Sequence, residues 1–443
     1  MGLSRLIAPT LALSVAACGA DAPEADAAPL LRPDTPGTAE PPPVFAPDDD
    51  VVRFDSAGGA FRVHYARRGQ HAVPLADGDA DGVPDVVHAV ASEYEAVLRF
   101  FTDVLGFARP LSDAQDGVDD GGDGRFDVYL VDFPTRADGA YRDELCTVAP
   151  PRRCAGYMLQ ENDFDGRGYP SLAIATRVLA SHELFHAVQA GYLSGASPVL
   201  GEATAVWASE AYDPSLNDFE GFVGGYLARP ERSLGQDPTG PVDPFSYGAA
   251  LFFRFLEETR TRPLVRPLWE SLRQRAQAWP LALDAVMREE AGDSLSAAFA
   301  EFAAWNLHTG ARANPEVSYA EGARYPQVAE KAVGFPFVDD LVRMAPLSAR
   351  YFVGTVASAE ALTARLVSLS NGTDALALRM AVERAGKLLP LDPAAGFARS
   401  SVAAQPGDRV HTLIVDARAT GPIRRVRLCI GAEAETAASC ATP

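Results

Sequence analysis

The stretch Arg177 to Asp213 reads RVLASHELFHAVQAGYLSGASPVLGEATAVWASEAYD. Its first half carries apolar residues at helical spacing, so a helix is expected over 175–190. The Gly/Ser/Pro loop GYLSGASP then breaks the pattern, and a second helix is expected from about Val199. Inside the first helix stands His182-Glu183-Leu184-Phe185-His186. Positions 182 and 186 are i and i+4, so both imidazoles leave one helix face about a turn apart and can share one tetrahedral Zn²⁺. Glu183 sits beside them, where its carboxylate can take a proton from an attacking water and return it to a leaving amine. Leu179, Phe185 and Val188 supply the opposite face, which must be buried. The competing reading is two histidines merely packed or solvated on a helix.

A catalytic zinc generally takes three protein ligands and keeps one position open. Gln189 and Tyr192 stand where a metzincin would carry glycine and histidine, which excludes that class. On the second helix, Glu202 follows a loop long enough to reverse the chain, and a carboxylate in the first turn of an antiparallel neighbour can reach the metal. Glu210, two turns later, is its competitor. Whichever does not bind is a solvated carboxylate or a group that orients a histidine.

Two acidic runs precede this region. In Asp77-Gly-Asp79-Ala-Asp81-Gly82-Val-Pro-Asp85 the carboxylates alternate and glycine stands sixth, the spacing of an oxygen cage for Ca²⁺. His88 replaces the bidentate glutamate of a full EF-hand, so the run resembles the shorter calcium loops, and Asp77, Asp79, Asp81 and Asp85 are candidate ligands of a structural ion. A solvated polar turn is the alternative. Asp119, Asp123 and Asp127 form a second run of similar spacing, for which the polar turn is the favoured reading.

At 443 residues the chain holds roughly three domains' worth of sequence at about 150 residues each, and its 47% hydrophobic content is that of a globular protein. A net charge of -20 repels phosphate backbones, so nucleic acid is excluded as a partner. The N-terminus, MGLSRLIAPTLALSVAAC, has one arginine, an apolar core too short for a comfortable membrane span of about 20 residues, and a lipobox-like Val15-Ala16-Ala17-Cys18. Residues 1–17 are therefore read as a secretory signal and Cys18 as a lipid-modified mature terminus, the chain's one link to a membrane. An exported location is expected, lipid-anchored at the bacterial outer membrane or cell surface; an ordinary signal peptide with an incidental cysteine, leaving a secreted protein, is the alternative. Residues 18–50, rich in Ala, Pro and Asp, are expected to be a disordered tether. Of the other cysteines, short separations favour Cys146 with Cys154 and Cys429 with Cys440 as disulfides, in keeping with export; four buried thiols are the alternative.

VVRFDSAGGAFRVHYA, from Val51, alternates like a hairpin. Val86 to Gly106 has helical spacing, and FDVYLVDF at 126–133 reads as a strand. Tyr247 to His308 is helical almost throughout. After about residue 335 strand-like runs separated by Gly, Pro and Asn turns indicate a β-sandwich. HELFHAVQ followed by LGEATAVW resembles the gluzincin metallopeptidases, in which the ligand glutamate lies on the next helix within an Asn-Glu-Gly-x-Ala type motif. Gly201 and Ala203 depart from it. DGDADGVPDVV, FDVYLVDF and SYGAALFFRFLEE extend the likeness, over roughly residues 51–320, to secreted metalloproteases found largely in myxobacteria.

The resemblance implies an α+β fold with a zincin-like metallopeptidase domain over 51–335 whose helical C-terminal subdomain lies at about 240–312; the strand-like runs add a β-sandwich over 336–443. It implies Zn²⁺ on His182, His186 and Glu202, Glu183 as base and acid, and a protein or peptide substrate. By analogy with gluzincins, Tyr247 or His308 would stabilise the transition state; Tyr247 is the one we name as catalytic, and core or surface packing is the plainer reading of both. Two further readings stand beside this one. The first is a catalytically inactive surface-binding or adhesive lipoprotein with Ca²⁺-stabilised loops, and the second is a precursor whose proline-rich N-terminal segment is cut away.

Overall fold

Alternating burial and β-branched or aromatic residues build the first sheet, from β1 (Val51–Asp55), β2 (Phe61–Ala66), β3 (Phe126–Val131), β4 (Gly139–Cys146) and β5 (Cys154–Glu161) in the order β1-β2-β3-β5-β4. The computed structural model describes residues 32–35, 38, 43–114, 121–134, 137–275, 277–370, 372–391 and 398–440. Cys18, the expected signal segment and Asp119 lie outside these. The hairpin read from Val51 forms as expected, with Val51 opposite Ala66. The strands β2, β3 and β5 run parallel, and every residue of β5 is buried. That is the pattern of strands covered on both faces. The antiparallel strand β4 closes one edge. Helices α1 (Asp85–Arg99) and α2 (Leu172–Leu193) pack against the sheet and against each other, and α3 (Pro198–Tyr212) packs on α2. α1 ends earlier than the apolar spacing suggests, passing into a wider helical turn over Phe100–Val104.

The chain divides into two compact units. The first runs to Gly221 and takes in 240–243 and 272–276; the second holds 222–239, 244–271 and 277 onward. Helix α4 (Asp218–Leu227) begins in one and ends in the other.

In the second unit the helices α5 (Pro244–Gly248), α6 (Ala250–Thr259), α7 (Val265–Gln274, its end assigned to the first unit), α8 (Trp279–Glu290) and α9 (Leu295–Trp305) come first. Phe302 joins α9 to α6, its ring 5.1 Å from Phe252 and 5.5 Å from Phe255. Two sheets follow. Strands β6 (Lys331–Ala332), β8 (Ser348–Thr355), β10 (Leu376–Arg384), β11 (Lys387–Leu388) and β13 (Arg409–Asp416) form one, and β7 (Phe337–Met344), β9 (Glu360–Ser368), β12 (Arg399–Ala404) and β14 (Arg424–Ala432) the other. Leu378, Met380, Val410 and Ile414 from the first meet Met344, Leu362, Leu366, Val426 and Leu428 from the second in one apolar core. Two sheets sharing one core are a β-sandwich, as the strand-like runs after residue 335 suggest. Both disulfides form as expected, Cys146–Cys154 and Cys429–Cys440, the latter fastening α10 (Glu433–Ser439) to β14. Disulfides are usual in exported proteins. Among the described residues no helix is long and apolar enough to cross a membrane.

Candidate metal centre

Every side chain of α2 from Val178 to Tyr192 is buried. A helix enclosed on all sides belongs in an interior, where charged or polar groups must be paired, hydrogen-bonded or ligated. Ser171 starts α2 by accepting a hydrogen bond from Ile174 N at 3.3 Å. Ser197 does the same for α3 with Leu200 N at 3.4 Å, and Pro198 follows as the first helical residue. The short link between these two caps and helices brings the first turn of α3 beside the second half of α2.

There His182, His186 and Glu202 converge. His186 Nε2 lies 3.2 Å from His182 Nε2, and Glu202 Oε2 lies 3.3 Å from His182 Nε2 and 3.6 Å from His186 Nε2. Three ligands on a tetrahedral Zn²⁺, each about 2.0–2.1 Å from the metal, stand about 3.3–3.4 Å from one another. The triangle therefore has the size of one face of that tetrahedron. Glu202 Oε2 is buried and meets both imidazoles without an aligned hydrogen bond, as an oxygen aimed at a common point would. Two imidazole nitrogens and a carboxylate oxygen are a donor set suited to zinc, so these residues fit the ion. Burial alone would raise the Glu202 carboxyl, but the two imidazoles push it down to about 2. Burial works against a charged His186 too, yet Glu202 and Glu183 carry it up to about 9.

Glu183 is buried beside the triangle and is held from the sheet: its Oε2 accepts a hydrogen bond from Tyr141 N, on the edge strand β4, at 3.2 Å. Further acidic and phenolic groups gather here. Burial raises Asp138, whose Oδ2 accepts from the Tyr169 hydroxyl at 3.0 Å, and the negative charge of Glu183 adds to the rise. Asp218 is pushed up to about 6 by burial, with His182 opposing and Asp138 adding. None of Tyr141, Asp138, Tyr169 or Asp218 carries a linear signal, because a strand, two loops and the start of α4, spread along the sequence, deliver them. Gln189 does carry one. At i+3 from His186 it shares that residue's helix face, and its Oε1 lies 2.9 Å from His186 Nδ1.

Among the described residues Glu202, and not Glu210, joins the histidines; Glu210 is buried later on α3. Tyr247 lies in the second unit on α5, buried with its ring stacked on Phe222 at 5.2 Å, and His308 is buried in that unit as well. Of the first acidic run, Asp77, Asp79 and Asp81 converge. Asp85 instead opens α1 and accepts from Gly78 N at 3.0 Å. The second run's described carboxylates are taken by cations: Asp123 pairs with Arg62 at 2.8 Å and with Arg125, and Asp127 with Arg32 and with His64 at 2.7 Å.

No protein-family model matches the chain, and no curated protein matches it. Among solved structures, 23% of the chain is similar to the pre-peptidase C-terminal domain of a collagenase from Bacillus anthracis, spanning 94% of that domain at 11% identity with a TM-score of 0.18. A like share, 23%, is similar to PliG of Aeromonas hydrophila, a periplasmic inhibitor of g-type lysozyme, spanning 98% of that protein at 11% identity with a TM-score of 0.17.

Proposed function

We propose that the protein is an exported zinc metallopeptidase of zincin-like fold that hydrolyses peptide bonds, with His182, His186 and Glu202 holding the metal and Glu183 acting as base and then acid. The observation that carries this reading is the size of the ligand triangle, with a buried carboxylate one residue from the first histidine. Zn²⁺ bound there would supply a Lewis acid that polarises a carbonyl and lowers the pKa of a water. Tyr141 N leaves one oxygen of Glu183 committed to the sheet and the other available to a proton.

Elemental analysis of the purified chain should find about one zinc per molecule. His182→Ala, which removes one of three protein ligands, should lose most of that zinc while keeping its secondary structure by circular dichroism. A metal-free wild-type protein, after incubation with zinc and gel filtration, would rule the site out.

Anchoring through a lipid on Cys18, which lies outside the described residues, belongs to the same proposal and places the enzyme at the outer membrane or cell surface. A structural Ca²⁺ at Asp77, Asp79 and Asp81 is supported by their convergence ahead of α1. Millimolar CaCl₂ should then raise the thermal midpoint by a few degrees over equal MgCl₂, and an equal response to both salts would mark the loop as a polar turn.

A further inference from the structure

We propose that Gln189 is the positioning residue of this site: one carboxamide orients His186 and sets the register of the peptide that carries Glu202. The proposal rests on the metal-site reading. Gln189 is 6% exposed, and all its hydrogen bonds run inside the helix pair. Its Nε2 donates to Gly201 O at 2.9 Å and to Thr204 Oγ1 at 3.0 Å. A backbone carbonyl only accepts, so the atom facing Gly201 must be the amide nitrogen. Thr204 agrees, since its hydroxyl proton goes to Leu200 O at 2.8 Å and leaves a lone pair for Gln189. The other end of the carboxamide is then oxygen, 2.9 Å from His186 Nδ1, which must carry a proton. That leaves Nε2 as the ring nitrogen directed at His182 and Glu202.

The same group acts on the second helix. Gly201 O belongs to the peptide immediately before Glu202, so the bond from Gln189 ties the turn that presents the carboxylate to the turn that presents His186. Histidine ligands usually donate their remote N–H to an acceptor, and loss of such an acceptor typically costs 10–100-fold in metal affinity. Here the acceptor also fixes where the third ligand stands.

The test compares wild type, Gln189→Leu and Gln189→Glu for Zn²⁺ affinity, by competition with a chromophoric chelator, together with thermal midpoint and the His186 Nδ1–H resonance in ¹⁵N-histidine-labelled protein. Gln189→Leu should weaken Zn²⁺ about 10–100-fold and expose the Nδ1 proton to exchange. Gln189→Glu keeps an acceptor for His186 but sets an oxygen against the Gly201 carbonyl. It should retain the protected proton but, with the tie to the Glu202 peptide lost, bind Zn²⁺ less tightly than wild type and more tightly than Gln189→Leu, and melt lower; wild-type affinity in Gln189→Glu would remove the role given to the Gly201 bond. Wild-type affinity in Gln189→Leu, or an unprotonated Nδ1 in the zinc-loaded wild type, would overturn the proposal. If wild type binds no zinc, the metal-site reading has failed. The protected Nδ1–H in metal-free protein, present in wild type and lost in Gln189→Leu, then still decides what Gln189 does.

Discussion

Glu183→Gln should keep the zinc content of the wild type and lower kcat/KM for peptide hydrolysis by about 10²–10⁴-fold, the usual contribution of a positioned general base. Glutamine has the shape of glutamate, and its oxygen can still accept the hydrogen bond from Tyr141 N, so the side chain has every reason to stay where it is. What it lacks is a basic oxygen. Stability should not suffer. The charge of Glu183 repels Asp138 but favours a charged His186, and a neutral amide gives up both, so the two changes oppose each other. The measurement is turnover of a quenched fluorescent peptide mixture alongside zinc analysis and a melting curve. Undiminished turnover with zinc in place would assign the base to another residue. A loss of zinc together with activity would instead make Glu183 part of the ligand environment.

Much of this site was legible in the linear chain because it depends on short-range geometry. His182 and His186 are one turn apart on any helix, and the expected helix of 175–190 is realised as Leu172–Leu193. Its place in the first turn after the loop favours Glu202 over Glu210, and Glu202 does join the histidines, but the exact fit of the third ligand was not legible. It depends on how far α3 slides along α2, which the loop between the Ser171- and Ser197-capped helices and the Gln189 hydrogen bonds decide. Strand positions in the second unit followed from alternation: SARYFVGTV became β8, and VHTLIVDA became most of β13. Their order did not, since β14 lies between β7 and β9 by pairings that span most of the sandwich. The stretch 18–50 was the least legible. Composition counts apolar surface, and on that measure it earns no place in a core. Yet Phe45 packs near Tyr129 and edge-on to His71, and Arg32 is completely enclosed. For the described residues in this stretch, the tether expectation is corrected: a buried arginine network holds what few apolar side chains could not.

That network yields the largest stability effect we expect. Arg32 is 0% exposed, and its guanidinium faces three carboxylates. Its Nε donates to Glu144 Oε1 at 3.0 Å, Nη2 to Glu144 Oε2 at 2.5 Å and to Asp113, and Nη1 to Asp127, while the plane lies 5.4 Å from the centre of the Tyr157 ring. Arg32→Ala would leave Asp113, Asp127 and Glu144 buried together, with His64, 2.7 Å from Asp127, as a close partner. Removing one partner of a buried ion pair costs about 3–5 kcal/mol, chiefly through the charge left behind, and here three charges are left. At roughly 2–4 °C per kcal/mol, the first unit should melt about 6–20 °C lower. A chain with two compact units need not unfold in one step, so the loss should be followed by hydrogen exchange of peptides from β2 to β5 rather than by a single melting curve. Arg32→Lys keeps the charge but not the fork that serves three acceptors, and should fall between wild type and alanine. The triple change Arg32→Ala, Asp113→Asn, Glu144→Gln discharges most of the socket and should recover more than half of the lost protection. If Arg32→Ala alone moved exchange in those strands by less than about 1 kcal/mol, the arginine would not be seated among these carboxylates in solution, and residues 32–35 would revert to the tether that composition suggested.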